Sequence, residues 1–410
     1  MFDPAPQLVV GLEIGTSKVC AVVGEHHPNG ALHIIGLGQA RSRGVRKGEI
    51  VDNTAAAEDV RAALAEAEQM ADVEIRSVYL GVSGAHLQSF NHRGRHTIPS
   101  HDRVIMQEDV QDVVGNARAF TLPPDRHVIH VVRQHFIVDG QPGVIDPVGM
   151  PGARLEVDLH IVHGITTRLQ RPICVVKSLQ LEVENLVFTG LATSLAVLTP
   201  QDKQRGALVI DLGAGVTDYV VYTDGILRHS GTLAVGGDHV TNDLACGLNI
   251  SQGRAEALKC SHGGAAVEPD VRGRTLALPS EHGLPERPIN LEHLRRIMAA
   301  RLEETLEIIA TELETLGLLE TLHAGVVLCG GGARVPGITD LAERIFSVPA
   351  AVGRTCAFNG LAATLDQPEF ATGLGLVRFG SFQNPAARGP RWTARLRQTL
   401  GQLKSVLRAP

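Results

Sequence analysis

Two glycine-containing segments lie 198 positions apart and constrain this sequence more than any other feature. Residues 10–19 read VGLEIGTSKV, and residues 209–219 read VIDLGAGVTDY. In each segment an apolar run carries an acidic residue, one spacer and a glycine, and a second apolar run follows. Apolar residues on both sides of a glycine-containing turn predict a β-hairpin. Two related hairpins at the heads of two parts of one chain predict two matched halves.

The two predicted turns have the chemistry of a phosphate site. Successive backbone N–H groups in such a turn form a concave nest for anions, and small residues let a phosphate approach the backbone. The carboxylates of Glu13 and Asp211 precede the turns and are expected to hold hydrated Mg²⁺, which prefers oxygen ligands. Most single hairpins of this kind bind nothing, so the prediction depends on the pair. The predicted phosphate and Mg²⁺ residues are Glu13, Gly15, Thr16, Ser17, Lys18, Asp211, Gly213, Ala214, Gly215, Val216 and Asp218.

A third glycine-rich segment, residues 326–337, reads VVLCGGGARVPG. The pattern predicts a short buried strand that runs into three glycines, with a helix after Pro336. It has neither the spacing of a Walker loop nor that of a dinucleotide-binding turn. Gly330, Gly331 and Gly332 are instead expected to let a flat base lie on bare backbone.

Composition limits the class of protein. A chain of 410 residues is long for one core, so two to four subdomains are expected. Aromatic residues make up only 3% of an otherwise aliphatic-rich chain, which is typical of an α/β protein, and the net charge of −6 argues against nucleic acid as the main partner. The six cysteines are scattered and are interpreted as buried, reduced thiols. Without a signal peptide or a run of about 18 apolar residues, the body is expected to be soluble.

Proline and glycine interrupt the pattern between about residues 83 and 164, which predicts an inserted α/β module. Strands are expected at 127–138 and 155–162, and a helix near 107–119. His127, His130 and His135 fall at mixed parity on one strand, so they cannot all face one metal ion. We interpret them as surface or partly packed histidines.

In the second half, Gly236 and Gly237 form a predicted turn before a helix. Glu256 and Lys259 are three residues apart, where a helical salt bridge is the simplest interpretation. Residues 262–288 are rich in glycine, proline and charge and predict an exposed, mobile excursion. Asn290 is expected to cap a long helix whose apolar residues recur at helical spacing.

The C-terminal segment changes character. Residues 383–390 resemble a linker, and residues 391–410 contain five basic residues and no acidic residue. On a helix, Trp392 and four leucines fall within an arc of about 80°, with basic residues beside it. This composition is typical of a helix that lies in a membrane surface. The alternatives are a helix docked on the body, a disordered basic arm and a calmodulin-target-like helix. The predicted membrane-binding residues are Trp392, Arg395, Leu396, Leu400, Leu403, Lys404 and Leu407.

The order of two phosphate hairpins followed by a glycine-rich base platform resembles the actin, Hsp70 and sugar-kinase superfamily and, within it, the FtsA family of bacterial cell-division proteins. The resemblance covers residues 8–380 and the tail. It implies an α/β, actin-like ATPase fold with two ribonuclease-H-like halves, an inserted α/β subdomain and a C-terminal amphipathic helix. The implied subdomains are 8–82 with 165–200 and 360–382, the inserted 83–164, 201–235 with 318–359, the outer 236–317, the linker 383–390 and the membrane helix 391–410.

The same resemblance implies a function. ATP with Mg²⁺ would bind between the halves, and Gly236, Gly237, Glu256, Lys259, Gly330, Gly331 and Gly332 would contact the nucleoside. The inserted subdomain would take part in a head-to-tail polymer, and the outer subdomain would receive the C-terminal peptide of FtsZ. The tail would hold the pair on the cytoplasmic face of the inner membrane at the division septum, among other divisome proteins.

Three positions depart from the superfamily pattern. Glu13 stands where many members have Asp, and Ala214 and Val216 replace a glycine and a hydroxyl residue of the second turn. Residues 191–199 contain no Gln or Glu to orient a water, so we expect weak or absent ATP hydrolysis and assign no catalytic residue. Two alternatives remain at this point: an actin-like scaffold of the cell-shape or pilus-assembly type, and a small-molecule kinase of the same superfamily.

Overall fold

A computed structural model describes residues 6–99, 102–278, 287–356, 358 and 365–383. Residues 384–390 of the predicted linker and the whole predicted tail therefore lie outside the described residues, whereas Gln383, the first residue of that linker, belongs to the last described helix instead. The chain up to residue 82 forms β1 (Gln7–Ile14), β2 (Lys18–His26), β3 (Leu32–Arg41), β4 (Val45–Arg46), β5 (Glu49–Ile50), α1 (Asn53–Ala71) and β6 (Ser77–Val82). Asp52 caps α1, because its Oδ1 accepts hydrogen bonds from the backbone N–H groups of Thr54 (2.9 Å) and Ala55 (3.0 Å).

The inserted module and the return to the first half follow. The module contains β7 (Gln88–Thr97), α2 (Gln107–Arg118), β8 (Arg126–Val138), β9 (Gln141–Val144) and β10 (Arg154–Ile165). The first half then resumes with α3 (Thr166–Ser178), β11 (Glu182–Phe188), α4 (Thr189–Val197) and α5 (Pro200–Arg205). The module's strands form their own antiparallel sheet in the order β7-β10-β8-β9, and α2 packs against it over an apolar core.

The second half contains β12 (Ala207–Leu212), β13 (Thr217–Thr223), β14 (Ile226–Leu233), α6 (Gly237–Leu248), α7 (Gln252–His262), β15 (Thr275–Leu278), β16 (Arg287–Asn290), α8 (Leu291–Thr315), β17 (Gly325–Cys329), α9 (Ile338–Phe346) and β18 (Ala350–Val352). The chain then returns to the first half with α10 (Ala371–Gln383). Asn290 caps α8 as predicted, with its Oδ1 accepting from the His293 N–H at 3.2 Å. None of the helices in the described part of the chain is both long and apolar enough to cross a bilayer.

The two halves have one topology. Their sheets run β3-β2-β1-β6-β11 and β14-β13-β12-β17-β18. In each, three antiparallel strands are followed by two parallel ones, and the first hairpin lies beside the first parallel strand. This match confirms the predicted two-halved, actin-like α/β fold.

Two helices pack at the centre of the first half's core. Gly375 of α10 approaches α4 so closely that a Cβ atom would lie 1.8 Å from the Ala192 carbonyl oxygen. Gly11 of β1 also approaches α10 closely, because a Cβ atom there would lie 2.7 Å from the Gly373 carbonyl oxygen. Bare backbone therefore lets α10 lie directly against the strand that enters the first predicted turn.

Some packing predictions are wrong. His127 is exposed and His135 is half-buried, but His130 is fully buried and its Nε2 accepts a 2.9 Å bond from the Phe188 N–H. Burial lowers the pKa of His130 to about 3, so it is a neutral link between the module and the first half. In the described residues no group of three or more His, Cys, Asp or Glu is arranged to hold a metal ion.

Two further expectations about burial need correction. Cys20 and Cys329 are buried, but Cys174, Cys246, Cys260 and Cys356 are exposed. Within the predicted excursion, Ala265 and Val271 are buried at 3% and 2% exposure, because this part of the segment packs on the second half. Residues 279–286 of that excursion lie outside the described residues.

Candidate functional site

The two predicted turns have the same backbone closure. The Gly15 N–H donates to the Lys18 carbonyl at 2.9 Å, and the Gly213 N–H donates to the Val216 carbonyl at 3.0 Å. Each carbonyl oxygen approaches its glycine closely. A Cβ atom on Gly15 would lie 2.8 Å from the Lys18 oxygen, and one on Gly213 would lie 2.7 Å from the Val216 oxygen. Only glycine fits this approach without displacing the backbone. Both hairpins that the sequence predicts are therefore formed.

The turns meet although they come from different halves. A Cβ atom on Gly215 would lie 2.4 Å from Thr16 Oγ1, 2.8 Å from Lys47 Cα and 3.0 Å from Gly48 N. The Thr16 hydroxyl accepts a 2.9 Å bond from the Gly48 N–H, which fixes the first turn on the β4–β5 connection. The backbone N–H groups of two turns thus lie at one place, which is the geometry required to hold a chain of phosphates.

An acid–base cluster lies beneath the turns. Lys18 Nζ is 3.5 Å from Glu13 Oε2 and donates to the Glu369 carbonyl at 2.6 Å. Burial raises the pKa of Glu13, Lys18 opposes that rise, and the nearby Asp211 adds to it. Burial disfavours the charged ammonium of Lys18, but Glu13 and Asp211 together raise its pKa. The two predicted metal carboxylates therefore share one region of space, and Lys18 compensates their charge.

Asp211 is oriented by residues that sequence reasoning missed. Its Oδ2 accepts hydrogen bonds from the hydroxyls of Thr193 (2.7 Å) and Thr372 (2.8 Å). Its Oδ1 faces Gly330, where a Cβ would lie only 2.4 Å away. The threonines belong to apolar helices, and a hydroxyl in such a helix is the only signal that sequence offered. An oxygen pair oriented in this way fits the outer ligands of hydrated Mg²⁺.

The structure gives Asp218 a different position from the one predicted. Its side chain is 4% exposed and accepts hydrogen bonds from the hydroxyls of Ser83 (2.8 Å), Thr232 (2.6 Å) and Thr189. Burial raises the pKa of Asp218 to about 6, although these three bonds oppose the rise. Because the carboxylate binds hydroxyls of three separate segments, it ties the second hairpin to the first half, and this argues against direct contact with phosphate.

The predicted nucleoside residues around α6 lie together against the second turn. The Gly237 N–H donates to the Gly213 carbonyl (3.0 Å), and a Cβ on Gly236 would lie 2.6 Å from the Ala214 carbonyl oxygen. Lys259 Nζ donates to the Gly237 carbonyl at 3.2 Å and lies 2.7 Å from Glu256 Oε2. The helical salt bridge is therefore present, and it positions Lys259 at the start of α6.

The glycine platform borders the same turn. Gly330 has a φ of +76°, which favours glycine, and a Cβ there would meet the Leu212 carbonyl oxygen at 2.6 Å. Gly331 has open space beside it, with no atom within 4 Å of an added Cβ. The Ala265 N–H donates to the Pro336 carbonyl at 2.8 Å and so joins the end of the α7 segment to the platform. Gly331 therefore presents bare backbone, and the binding of a flat ring there stays a prediction.

A short segment that the sequence did not indicate connects the parts. The Gly330 N–H donates to the Pro368 carbonyl (2.9 Å), Lys18 contacts the Glu369 carbonyl, and the Phe370 ring centre is 5.4 Å from Lys18 Nζ. Arg334 pairs with the Glu369 carboxylate at 2.9 Å. Residues 368–370 therefore hold the first turn and the platform in a fixed relation.

Comparisons with known proteins agree with this architecture. Residues 208–375 match the family model described as "Cell division protein FtsA", and residues 84–163 match "SHS2 domain inserted in FTSA". The cell division protein FtsA of Escherichia coli K12 is 34% identical, over 98% of each chain. The FtsA of Borreliella burgdorferi is 36% identical over 91% of this chain and 90% of its own, and that of Pseudomonas aeruginosa is 34% identical over 91% and 89%.

Solved structures show the same fold at lower identity. A chain of the PilM–PilN type IV pilus biogenesis complex has a TM-score of 0.64 at 18% identity and covers 91% of this chain and 98% of its own. MreB5 of Spiroplasma citri has a TM-score of 0.54 at 16% identity, with 91% and 95% covered. These likenesses show the fold alone, whereas the sequence matches separate the chain from the scaffold and kinase alternatives. This protein is an actin-like bacterial cell-division protein, and it belongs to the FtsA family.

Proposed function

We propose that the protein binds ATP with Mg²⁺ between its two halves, assembles with copies of itself, and links FtsZ to the cytoplasmic face of the inner membrane at the division septum. The contact of Gly215 with Thr16 carries the nucleotide part of this proposal, because it brings phosphate-binding turns from both halves together. Other divisome proteins would then join the assembly.

Each part of the site has a role in nucleotide binding. The N–H groups of both turns would hold the phosphates, and Glu13 and Asp211 would bind the waters of Mg²⁺. The ring would lie between the glycine platform and the Glu256–Lys259 pair. MreB5 of Spiroplasma citri, which shares the fold, was solved bound to ADP and to AMPPNP. Hydrolysis would be weak or absent, since α4 places a threonine rather than a Gln or Glu beside Asp211.

The two sequence departures in the second turn do not prevent binding. Ala214 faces α6 through its backbone, since its carbonyl accepts a 2.8 Å bond from the Asp238 N–H. Val216 packs towards the first half, where its Cγ1 lies 3.1 Å from a Cβ built on Gly48. Both changes therefore leave the backbone donors of the turn in place.

The surface of the inserted module supports self-association. Met106, Ile145 and Val148 are exposed apolar side chains, at 57%, 58% and 43% exposure. Backbone bonds of 2.9 Å from Ile105 to Met150 and from Gly149 to Ile105 bring the two loops together. An apolar patch of this kind on a charged chain is typical of a protein contact.

The outer subdomain, residues 236–317, would receive the FtsZ peptide.

The tail supports membrane attachment through its charge. Of the 38 basic residues, 5 lie in residues 391–410, so the remainder carries 33 basic against 44 acidic residues, a net −11, and the tail carries +5. Each basic residue near an anionic leaflet contributes about 1 kcal/mol, and each buried leucine about 1.5–3 kcal/mol before the cost of folding the helix. A single tail would bind reversibly, and a polymer would bind by avidity with gains of about 10²–10⁴.

Co-sedimentation of FtsZ with anionic liposomes tests this function. The full chain with ATP is expected to bring FtsZ into the pellet, and a chain without residues 391–410 is expected to leave it in the supernatant. Leu400→Glu, on the predicted apolar arc, should weaken liposome binding about tenfold or more, because it buries a charge. Gln398→Glu makes the same charge change on the opposite side of the helix and is the matched control.

Two results would contradict the proposal. Liposome binding that survives loss of the tail would remove the membrane role from residues 391–410. The linking role would be excluded if the full chain bound to liposomes but left FtsZ with an intact C-terminal peptide in the supernatant.

A further inference from the structure

A pocket in the first half lies behind the two turns and is not used by the nucleotide contacts described above. It is formed by the β4–β5 connection, the ends of β1 and β6, and the first turns of α3. Its polar lining consists of Glu49, Ser83, His86, Arg168 and Arg171.

The pocket carries an excess of positive charge. Arg168 donates to Glu49, and Arg171 Nη1 lies 4.0 Å from the same carboxylate and 3.4 Å from the Ile50 carbonyl that accepts its hydrogen bond. Two guanidinium groups therefore share one carboxylate. Each guanidinium has five N–H donors, which is more than these acceptors can satisfy. The side chains of Arg168 and Arg171 are 41% and 51% exposed, so they can still reach a ligand.

His86 adds a buried polar group to the wall. Its side chain is 6% exposed, and its Nδ1 is buried without a hydrogen-bond partner among the described residues. Burial lowers the pKa of His86, Glu49 opposes this, and Arg168 and Arg126 lower the pKa further. The imidazole is therefore neutral near pH 7 and can donate one hydrogen bond from a ring N–H.

The inner wall of the pocket is in contact with both turns. Gly48 donates to Thr16 of the first turn and packs against Val216 of the second. Ser83 donates to Asp218 of the second hairpin at 2.8 Å. A group bound in the pocket would thus lie next to both turns.

We infer that this pocket is a phosphate subsite, in which Arg168, Arg171 and His86 bind a phosphoryl oxyanion. Paired guanidinium groups present forked donors that match the oxygens of phosphate. The ligand is inorganic phosphate or the terminal phosphate of the bound nucleotide, two sources with one chemistry. Only the second of these ligands, the terminal phosphate of a bound nucleotide, depends on the proposed nucleotide function.

Binding of inorganic phosphate, followed by ³¹P NMR on the full chain with ADP and Mg²⁺, tests the subsite. Arg171→Gln is expected to raise the phosphate Kd at least about tenfold, and Arg168→Gln at least as much. Arg76→Gln is the matched control, because Arg76 is an exposed arginine of the first half that pairs only with Glu74 among the described residues. A thermal midpoint equal to that of wild type verifies that each variant is folded.

A second measurement separates the two sources. If the pocket receives the terminal phosphate, Arg171→Gln will lower ATP affinity at least about tenfold and leave ADP affinity unchanged. If it receives free phosphate, only the ³¹P titration will change.

Two results overturn the subsite. In the first, Arg171→Gln and Arg76→Gln bind phosphate equally well, and Arg171→Gln has the same ratio of ATP to ADP affinity as wild type. In the second, millimolar phosphate does not saturate wild type, and Arg171→Gln again leaves the ratio of ATP to ADP affinity unchanged. If neither nucleotide binds wild type, the nucleotide proposal fails, and the same titration without ADP still decides the subsite.

Discussion

Gly215→Ala is expected to weaken ATP binding by about 10- to 100-fold. The added methyl would lie 2.8 Å from Lys47 Cα and 3.0 Å from Gly48 N, which are backbone atoms that cannot rotate away. Accommodating it requires the two turns to separate, and overpacking of this kind costs about 1–3 kcal/mol. Because the phosphates must be bound by both turns at once, the cost falls directly on nucleotide affinity. Titration calorimetry with ATP and Mg²⁺ measures it.

Gly115→Ala provides the matched control. Gly115 lies in α2 of the inserted module, and a Cβ there meets no atom within 4 Å. Alanine is favoured over glycine within a helix, so this variant should be at least as stable as wild type and bind ATP equally well. Equal ATP affinity in Gly215→Ala and Gly115→Ala would show that the contact of the two turns does not form the phosphate site.

Asp218→Ala is expected to lower the stability of the protein by about 2–4 kcal/mol at neutral pH. It removes the acceptor of the half-buried Ser83 and Thr232 hydroxyls and one acceptor of the buried Thr189 hydroxyl. A donor that loses its partner away from water costs about 1–3 kcal/mol. Relief of the buried charge offsets part of this cost. The thermal midpoint should fall by several degrees, whereas Asp340→Ala, at an exposed position of α9, should change stability by no more than about 1 kcal/mol. If Asp218→Ala and Asp340→Ala had equal thermal midpoints, the Asp218 carboxylate would not stabilise the contact between the second hairpin and the first half.

The same residue predicts a pH dependence. The pKa of Asp218 is about 6 in the folded protein, whereas the ordinary pKa of an aspartate, which applies to the unfolded chain, is 3.8. The folded state therefore binds the proton more tightly than the unfolded state. The contribution of Asp218 to stability therefore falls as pH rises from about 4 through 6. Between about pH 5 and pH 7.5, wild type should lose about 1 kcal/mol of stability relative to Asp218→Asn, which has no such titration. Parallel denaturation curves at the two pH values measure this difference, and no relative change would show that Asp218 is not buried in this way.

Local pattern predicted the parts of the site that depend on nearby residues. Gly15 and Gly213 could be identified because turn closure is a property of a few consecutive residues, and the repeated pattern indicated two matched halves. The Glu256–Lys259 pair followed from helical spacing. These features need no knowledge of the rest of the chain.

Contacts between distant segments could not be predicted from the sequence. Thr372 is 161 residues from Asp211, and the Glu369 carbonyl is 351 residues from the Lys18 ammonium that it binds. Asp218 has the sequence context of a metal ligand, but three hydroxyls brought together by tertiary packing determine its role. His130 was misjudged for the same reason, because its partner is the backbone of another strand.

A crystal structure of the full chain with a non-hydrolysable ATP analogue and Mg²⁺ tests the central claim most directly. If ATP binds as proposed, phosphate oxygens will accept hydrogen bonds from backbone N–H groups of residues 16–18 and 214–216, since the N–H groups of Gly15 and Gly213 close their own turns. Mg²⁺ will lie near Glu13 and Asp211, and the ring will lie on Gly330–Gly332. An analogue bound elsewhere, or bound by only one of the two turns, would contradict it.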